Sequence, residues 1–145
     1  MTAKRILVPL DGSESAEVAA SLAADLARGS GGSVRLLQVY PVPEHRVSSN
    51  GRVVAYADQE MERLSAEGRD YLESVEARLA PVSAETVVRF GQPEREILVE
   101  AEAFDADMIV VNASRRSWLE RLTGSGLGEK LLHASPVPVV LVRAV

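Results

Sequence analysis

The chain has no cysteine among its 145 residues. That excludes disulfides, thiolate metal sites and cysteine nucleophiles, and it suits a reducing cytoplasm. Histidine is nearly absent too, with only His45 and His133. His45 falls in a polar loop. His133 falls near a predicted helix end, where the helix dipole already explains a cationic side chain. Neither has a visible partner for a triad or a metal, so no catalytic residue and no metal site are expected. No apolar run approaches the roughly 20 residues that span a bilayer. The opening Met1-Thr2-Ala3-Lys4-Arg5 enters a short apolar run that soon meets Asp11, unlike a signal peptide. A cytoplasmic protein with no membrane association is the expectation. Positive charge is in deficit, with 16 Lys and Arg against 21 Asp and Glu and a net charge of -5. A general nucleic-acid binder usually carries a basic face, so that class is disfavoured. Basic residues still gather locally at Arg115, Arg116 and Arg121.

What remains is ordinary for a folded globular chain: 46% hydrophobic and 26% charged residues. The length fits one domain over residues 1–145. Ile6 to Leu10 is a short apolar run and reads as a buried strand. Ala16, Ala19, Ala20, Ala23, Leu26 and Ala27 then recur at helical spacing, and the glycines after Arg28 end that helix. Val34 to Tyr40 is the second strand, followed by an irregular polar loop over 41–55. An amphipathic helix follows over Ala57 to Leu79, with Met61, Leu64, Tyr71, Leu72, Val75 and Leu79 as its apolar stripe. Glu85 to Phe90 is the third strand, and Pro93 suits the first turn of the next helix. Ile97, Leu98, Ala101 and Phe104 mark the buried face of that helix. Asp107 to Val111, a helix from near Gly126 to near His133, and Val137 to Val142 complete the chain. Strands alternating with helices predict an α/β fold, a parallel sheet with helices on both faces. The unbroken apolar runs agree, because strands of such a sheet are buried on both sides. Ligands of this Rossmann-like architecture bind beyond the carboxyl ends of the strands, where strand order reverses. That directs attention to Asp11, to Val39 through Pro41, to Gly91 and to Asn112 through Ser117.

Asp11-Gly12-Ser13-Glu14-Ser15 follows the first strand. A carboxylate there could contact a ribose, a metal or a phosphoryl group. The commoner role is a helix cap, with Asp11 or Ser13 accepting from a free backbone N–H. The spacing of Asp11 and Glu14 also resembles a capping box. A phosphorylated receiver domain shares this strand pattern, but it needs an acidic pair here, an Asp after the third strand and a Lys after the fifth. The chain offers one Asp, Gly91 and Arg143 instead. A flavin site needs a hydroxyl-rich phosphate loop, and the carboxylates beside Ser13 and Ser15 would repel a phosphate.

One stretch carries most of the remaining information, IVVNASRRSWLERLTGSG over 109–126. An apolar strand stops at Asn112, a basic loop follows, and small residues precede a helix. Together with Ile6-Leu7-Val8-Pro9-Leu10-Asp11-Gly12-Ser13, Leu36-Leu37-Gln38-Val39, Gly91-Gln92-Pro93, Ala106-Asp107-Met108-Ile109-Val110-Val111 and Ser135-Pro136-Val137-Pro138-Val139-Val140-Leu141-Val142, it resembles the universal stress protein family over nearly the whole length. The resemblance implies a five-stranded parallel sheet of order 3-2-1-4-5, so Asp11 and Asn112 should face one crevice. It also implies ATP as a candidate ligand. Many members bind ATP through G-x-x-G, nine residues, then G followed by S or T. Glycines let backbone N–H groups approach phosphates, and the following helix start favours negative charge. Here the two early glycines are replaced by Asn112 and Arg115, and the later pair is reversed as Ser125-Gly126 or shifted to Gly124-Ser125. With Trp118 in that loop, the chain looks like the subset that lacks the motif. Two outcomes are open. Arg115 fills the phosphate space, or its guanidinium pairs with a phosphate by two hydrogen bonds. By resemblance the nucleotide-binding set is Pro9, Leu10, Asp11, Val39, Asn112, Arg115, Ser125, Gly126 and Leu127.

Two functions compete. One is a regulatory binding protein; the other is a slow ATPase or phosphotransferase at the same crevice. Turnover needs metal-binding and water-positioning groups near the γ-phosphate, and Asp11 is the only carboxylate placed there, so regulation is favoured. A homodimer is expected through Val137, Val139, Val140, Leu141 and Val142. The implied strand order puts them on a sheet edge, and no charge lies between His133 and Arg143 to guard it.

Overall fold

Ile6, Leu7, Val8 and Leu10 expose no surface at all, which fixes β1 (Arg5–Leu10) as the axis of the sheet. The computed structural model describes residues 4–44, 46, 47, 51, 53–113 and 127–143. Around β1 run α1 (Glu14–Ser30), β2 (Ser33–Tyr40), β3 (Arg46–Val47), β4 (Val53–Ala55), α2 (Ala57–Leu79), β5 (Ser83–Phe90), α3 (Pro93–Phe104), β6 (Met108–Asn112), α4 (Leu127–Ala134) and β7 (Val139–Val142). The five-stranded sheet has the order β5-β2-β1-β6-β7, and its strands pair in parallel. Counting only its own strands, that is 3-2-1-4-5, the order the resemblance implied. The segment 41–55 departs from expectation. It is not wholly irregular, since β3 and β4 pair antiparallel as a separate two-stranded ribbon. Strand ends also move. β5 begins at Ser83, β6 runs on to Asn112, and β7 starts at Val139, not Val137.

Two cores form because β-strand side chains alternate between faces. On one face α1 and α2 cover Ile6, Val8, Leu10, Val34, Leu36 and Val110. On the other, α3 and α4 cover Leu7, Leu37, Val39, Ile109 and Val111. α1 meets the first face with Ala16, Ala19, Ala20, Ala23, Ala24 and Ala27, all buried. α2 meets it with Leu72, Val75 and Leu79, and with Gly68. A Cβ on Gly68 would stand 3.0 Å from both the Tyr40 ring and the Val88 methyl, and 3.3 Å from Gln38 Oε1. That hydrogen-only side chain lets α2 lie close over the ends of β2 and β5.

The second face holds charge. Glu100 of α3 is 3% exposed. Its carboxylate accepts from Arg35 at 2.5 Å and from Arg89 at 3.1 Å. Arg89 also pairs with Glu96 at 2.8 Å, and Arg35 with Glu85 at 3.3 Å. The Arg35 guanidinium lies 4.3 Å from the centre of the Phe104 ring, a cation–π contact in a partly desolvated place. This network fastens α3 onto β2 and β5. Removing one partner of a fully buried ion pair costs roughly 3–5 kcal/mol. Both arginines here keep a second carboxylate, so Glu100→Ala should destabilise by about 2–3 kcal/mol on that scale. By contrast Glu67→Ala, which breaks an exposed pair with Arg63, should leave the urea midpoint essentially unchanged. Urea unfolding of both variants checks this. Equal, small losses would show that the network adds nothing.

Candidate ligand crevice at the carboxyl ends of β1 and β6

The crevice starts with a missing hydrogen-bond donor. Lys4 C=O accepts from Ser33 N–H of β2, and Arg5 C=O accepts from Asp107 N–H on the β6 side. Backbone groups alternate in direction along a strand, so the odd-numbered residues of β1 face β6. Residue 9 is proline and has no N–H to offer. β1 pairs with β6 only at Ile6 and Leu7, whereas its pairing with β2 continues to Leu10. The ladder to β6 therefore stops before Pro9. This gap is the point where strand order reverses, the usual ligand position of such a sheet.

A chain of hydrogen bonds spans the gap. Asn112 Nδ2 donates to Ser15 Oγ at 3.0 Å. Ser15 Oγ lies 3.1 Å from Ser13 Oγ. The Ser13 hydroxyl and N–H both donate to Asp11 Oδ1, at 2.6 and 2.9 Å. Ser13 has one hydroxyl proton and gives it to the carboxylate, so Ser15 is the donor to Ser13. The chain thus runs one way, from Asn112 through both serines to Asp11. Ser13 Oγ also accepts from Ala16 N–H at 3.2 Å and is the N-cap of α1. The cap is Ser13 braced by Asp11, and the Asp11–Glu14 capping box does not form. Gly12, at φ +86°, supplies the left-handed turn that lets Asp11 fold back.

Behind this chain stand two residues with no place in the sequence-based set. Asp11 Oδ2, Tyr71 Oη and Gln38 Oε1 are buried and have no hydrogen-bond partner among the described residues. Tyr71 reaches from α2 to the β1–α1 turn. Its phenol is pushed up to about 12, first by burial and then by the charges of Glu17 and Asp11. The Gly12 N–H and the Arg78 guanidinium pull the other way, the former without completing a hydrogen bond. Gln38 pairs in register with Leu10 at the end of β1. A polar residue in the apolar run of β2 was the available signal for it. Nothing local marked Tyr71, whose spacing fits an ordinary apolar stripe.

The remaining site residues divide clearly. Pro9 and Val39 are buried at the ends of β1 and β2, and Val39 belongs to the α3–α4 core. Leu10 is enclosed in the other core, so its side chain does not line the gap. Asn112 is 5% exposed and tied to Ser15. Leu127 opens α4 with its side chain in the α3–α4 core. Arg115, Ser125 and Gly126 lie outside the described residues, as do Arg116, Trp118, Arg121 and Gly124. Among the described residues no group of three His, Cys, Asp or Glu is placed to hold a metal ion. No helix of the described residues is long and apolar enough to cross a membrane.

Sheet order and crevice together define a doubly wound α/β domain with a polar gap at its switch point. The sequence profile of the Universal stress protein family matches residues 2–143, and the chain belongs to that family. It is 28% identical over 145 residues to the universal stress protein YxiE of Bacillus subtilis (strain 168), covering 96% of this chain and 98% of that one. Universal stress protein UspA from Lactobacillus plantarum superposes with a TM-score of 0.79 at 19% identity, over 99% of each chain. A universal stress protein solved in complex with cAMP superposes with a TM-score of 0.68 at 21% identity, over 98% of each chain. At those identities the superpositions establish the shared fold.

The Tyr71 phenol carries a testable pH dependence. Its folded-state value lies above the ordinary 10.0, so the protonated form favours folding. That contribution is complete below pH 10.0 and is lost as pH rises through about 12. The urea midpoint of the wild type should therefore fall more steeply over this window than that of Tyr71→Phe. Parallel curves would show that the phenol is not held in its neutral form.

Proposed function

We propose that this chain is a regulatory protein that takes an adenine nucleotide in the gap between β1 and β6 and works as a homodimer joined at β7. The observation that carries the reading is the ladder opening at Pro9, with Asp11 and Asn112 hydrogen-bonded through Ser13 and Ser15 across it. A nucleotide in a related fold supports it, since one structural neighbour was solved in complex with cAMP. Three phosphates need close backbone approach, which glycine permits. Asn112 and Arg115 stand at the two early glycine positions of the family motif, so a nucleotide with one phosphate fits this chain better than ATP. Binding without turnover follows from the polar groups. Asp11 is the one carboxylate in the hydrogen-bonded chain across the gap, and one of its oxygens is already occupied by Ser13.

Calorimetric titration with AMP, cAMP and ATP tests the ligand. AMP or cAMP should bind at least tenfold more tightly than ATP, with no phosphate release from ATP above background. Tighter ATP binding accompanied by hydrolysis would replace this reading with a slow ATPase.

The dimer rests on the open edge of β7. Pro138 C=O and Val142 C=O accept from the β6 side, so by alternation Val139 and Leu141 present their backbone groups to the free edge. Such a row invites another strand, and a two-fold pairing closes the assembly at two copies. Leu141→Pro removes one outward N–H and leaves the bonds to β6 in place. Sedimentation at micromolar concentration should show a wild-type dimer and a monomeric variant. A monomeric wild type, or a dimeric variant, would reject the β7 contact.

A further inference from the structure

Two buried groups behind the crevice complement each other, and neither is partnered. Asp11 Oδ2 can only accept a hydrogen bond, and a phenol donates one. Neither atom finds a partner among the described residues. The Asp11 charge acts on Tyr71, and the Gly12 N–H faces the same hydroxyl, so both groups sit at the β1–α1 turn. The other carboxylate oxygen is held by the hydroxyl and N–H of Ser13. Leaving a buried donor and a buried acceptor unpaired is unfavourable. A turn of the carboxylate towards α2 would let each group satisfy the other.

We propose that the Asp11 carboxylate has two seats, one on Ser13 of α1, as described above, and one on the Tyr71 hydroxyl of α2. When Oδ1 leaves the Ser13 hydroxyl, Oδ2 swings onto Tyr71. Tyr71 is then a positioning residue. It touches no ligand, and it holds the carboxylate so that Oδ1 can accept from a ligand hydroxyl. The identity of that hydroxyl, a ribose hydroxyl of the nucleotide, rests on the functional reading given above. Gln38 Oε1 is the competing acceptor, being unpartnered in a side chain that is 6% exposed.

A ligand-free cycle tests the two seats. Asp11→Asn, Tyr71→Phe and their combination are compared by urea unfolding, with Ser13 intact and in a Ser13→Gly background. Glycine removes the hydroxyl yet remains an acceptable N-cap. With Ser13 intact the two substitutions should be close to additive. In the Ser13→Gly background their coupling should rise at least tenfold in the unfolding constant, the size of a hydrogen bond to a charged group. Additivity in both backgrounds overturns the proposal, as does coupling of Tyr71→Phe to Gln38→Leu in place of Asp11→Asn. A second arm measures the positioning role. Tyr71→Phe should weaken AMP roughly tenfold and 2′,3′-dideoxy-AMP less than twofold, by the loss of one such bond. Equal losses for both nucleotides, or none, overturn that role. A wild type that binds no adenine nucleotide would sink the functional reading alone, and the unfolding cycle would still decide between one seat and two.

Discussion

A single absent donor organises the functional end of this molecule. From Ile6 to Leu10, β1 is enclosed above, below and on both edges, and every side chain there is apolar. Its backbone hydrogen bonds must all be met by β2 and β6. Pro9 withdraws one of them on the β6 side, and the two strands part at that level. Polar side chains then take over the bridging that the backbone has abandoned. Asp11, Ser13, Ser15 and Asn112 carry it from one strand end to the other. A central strand tolerates a proline only where the ladder is due to stop. The position of the crevice is therefore a backbone property of β1, settled before any ligand is considered.

The parallel sheet was legible because burial on both faces writes continuous apolar runs into the sequence, while its strand order came from the resemblance to the family. Ile6 to Leu10, Leu36 to Val39 and Met108 to Val111 carry that signal without ambiguity. The α2 limits, Ala57 and Leu79, were equally plain. The β3–β4 ribbon was not, since each strand is too short to show a period. Glu100 could have been noticed. It lies on the stripe of Ile97, Ala101 and Phe104, where a carboxylate has no place unless cations await it. Those cations, Arg35 and Arg89, come from two strands, and nothing in the sequence of α3 announces them.

The crevice was half legible. The general rule for open α/β sheets put Asp11 and Asn112 among the residues after strand ends, the resemblance set them in one crevice, and the structure adds the two serines that join them. The resemblance to the family supplied residue positions but not their present state. It cannot say that Asn112 is tied to Ser15, or that one Asp11 oxygen is buried with no partner among the described residues. Gln38 left one signal, a polar residue in an apolar run, and Tyr71 left none because its significance is negative. Its hydroxyl has no partner among the described residues, and a missing contact leaves no trace in residue spacing.

The alanine face of α1 has a further consequence, for how this protein can vary. Six buried alanines carry the helix onto the sheet, with Leu22 packed at the margin, so the contact consists mainly of backbone approach and methyl groups. Deletion of side-chain volume, the commonest experimental probe of a core, has almost nothing to remove there. Change in the other direction meets the strands at once, because added methylenes must displace a close-packed neighbour. Glycine is no refuge, since it weakens the helix itself by about 1 kcal/mol per residue. Drift at the six buried positions is therefore confined to one residue type, while the outward positions of the same helix remain open to substitution. An alanine scan would pass over the most constrained surface of the fold and report it as silent.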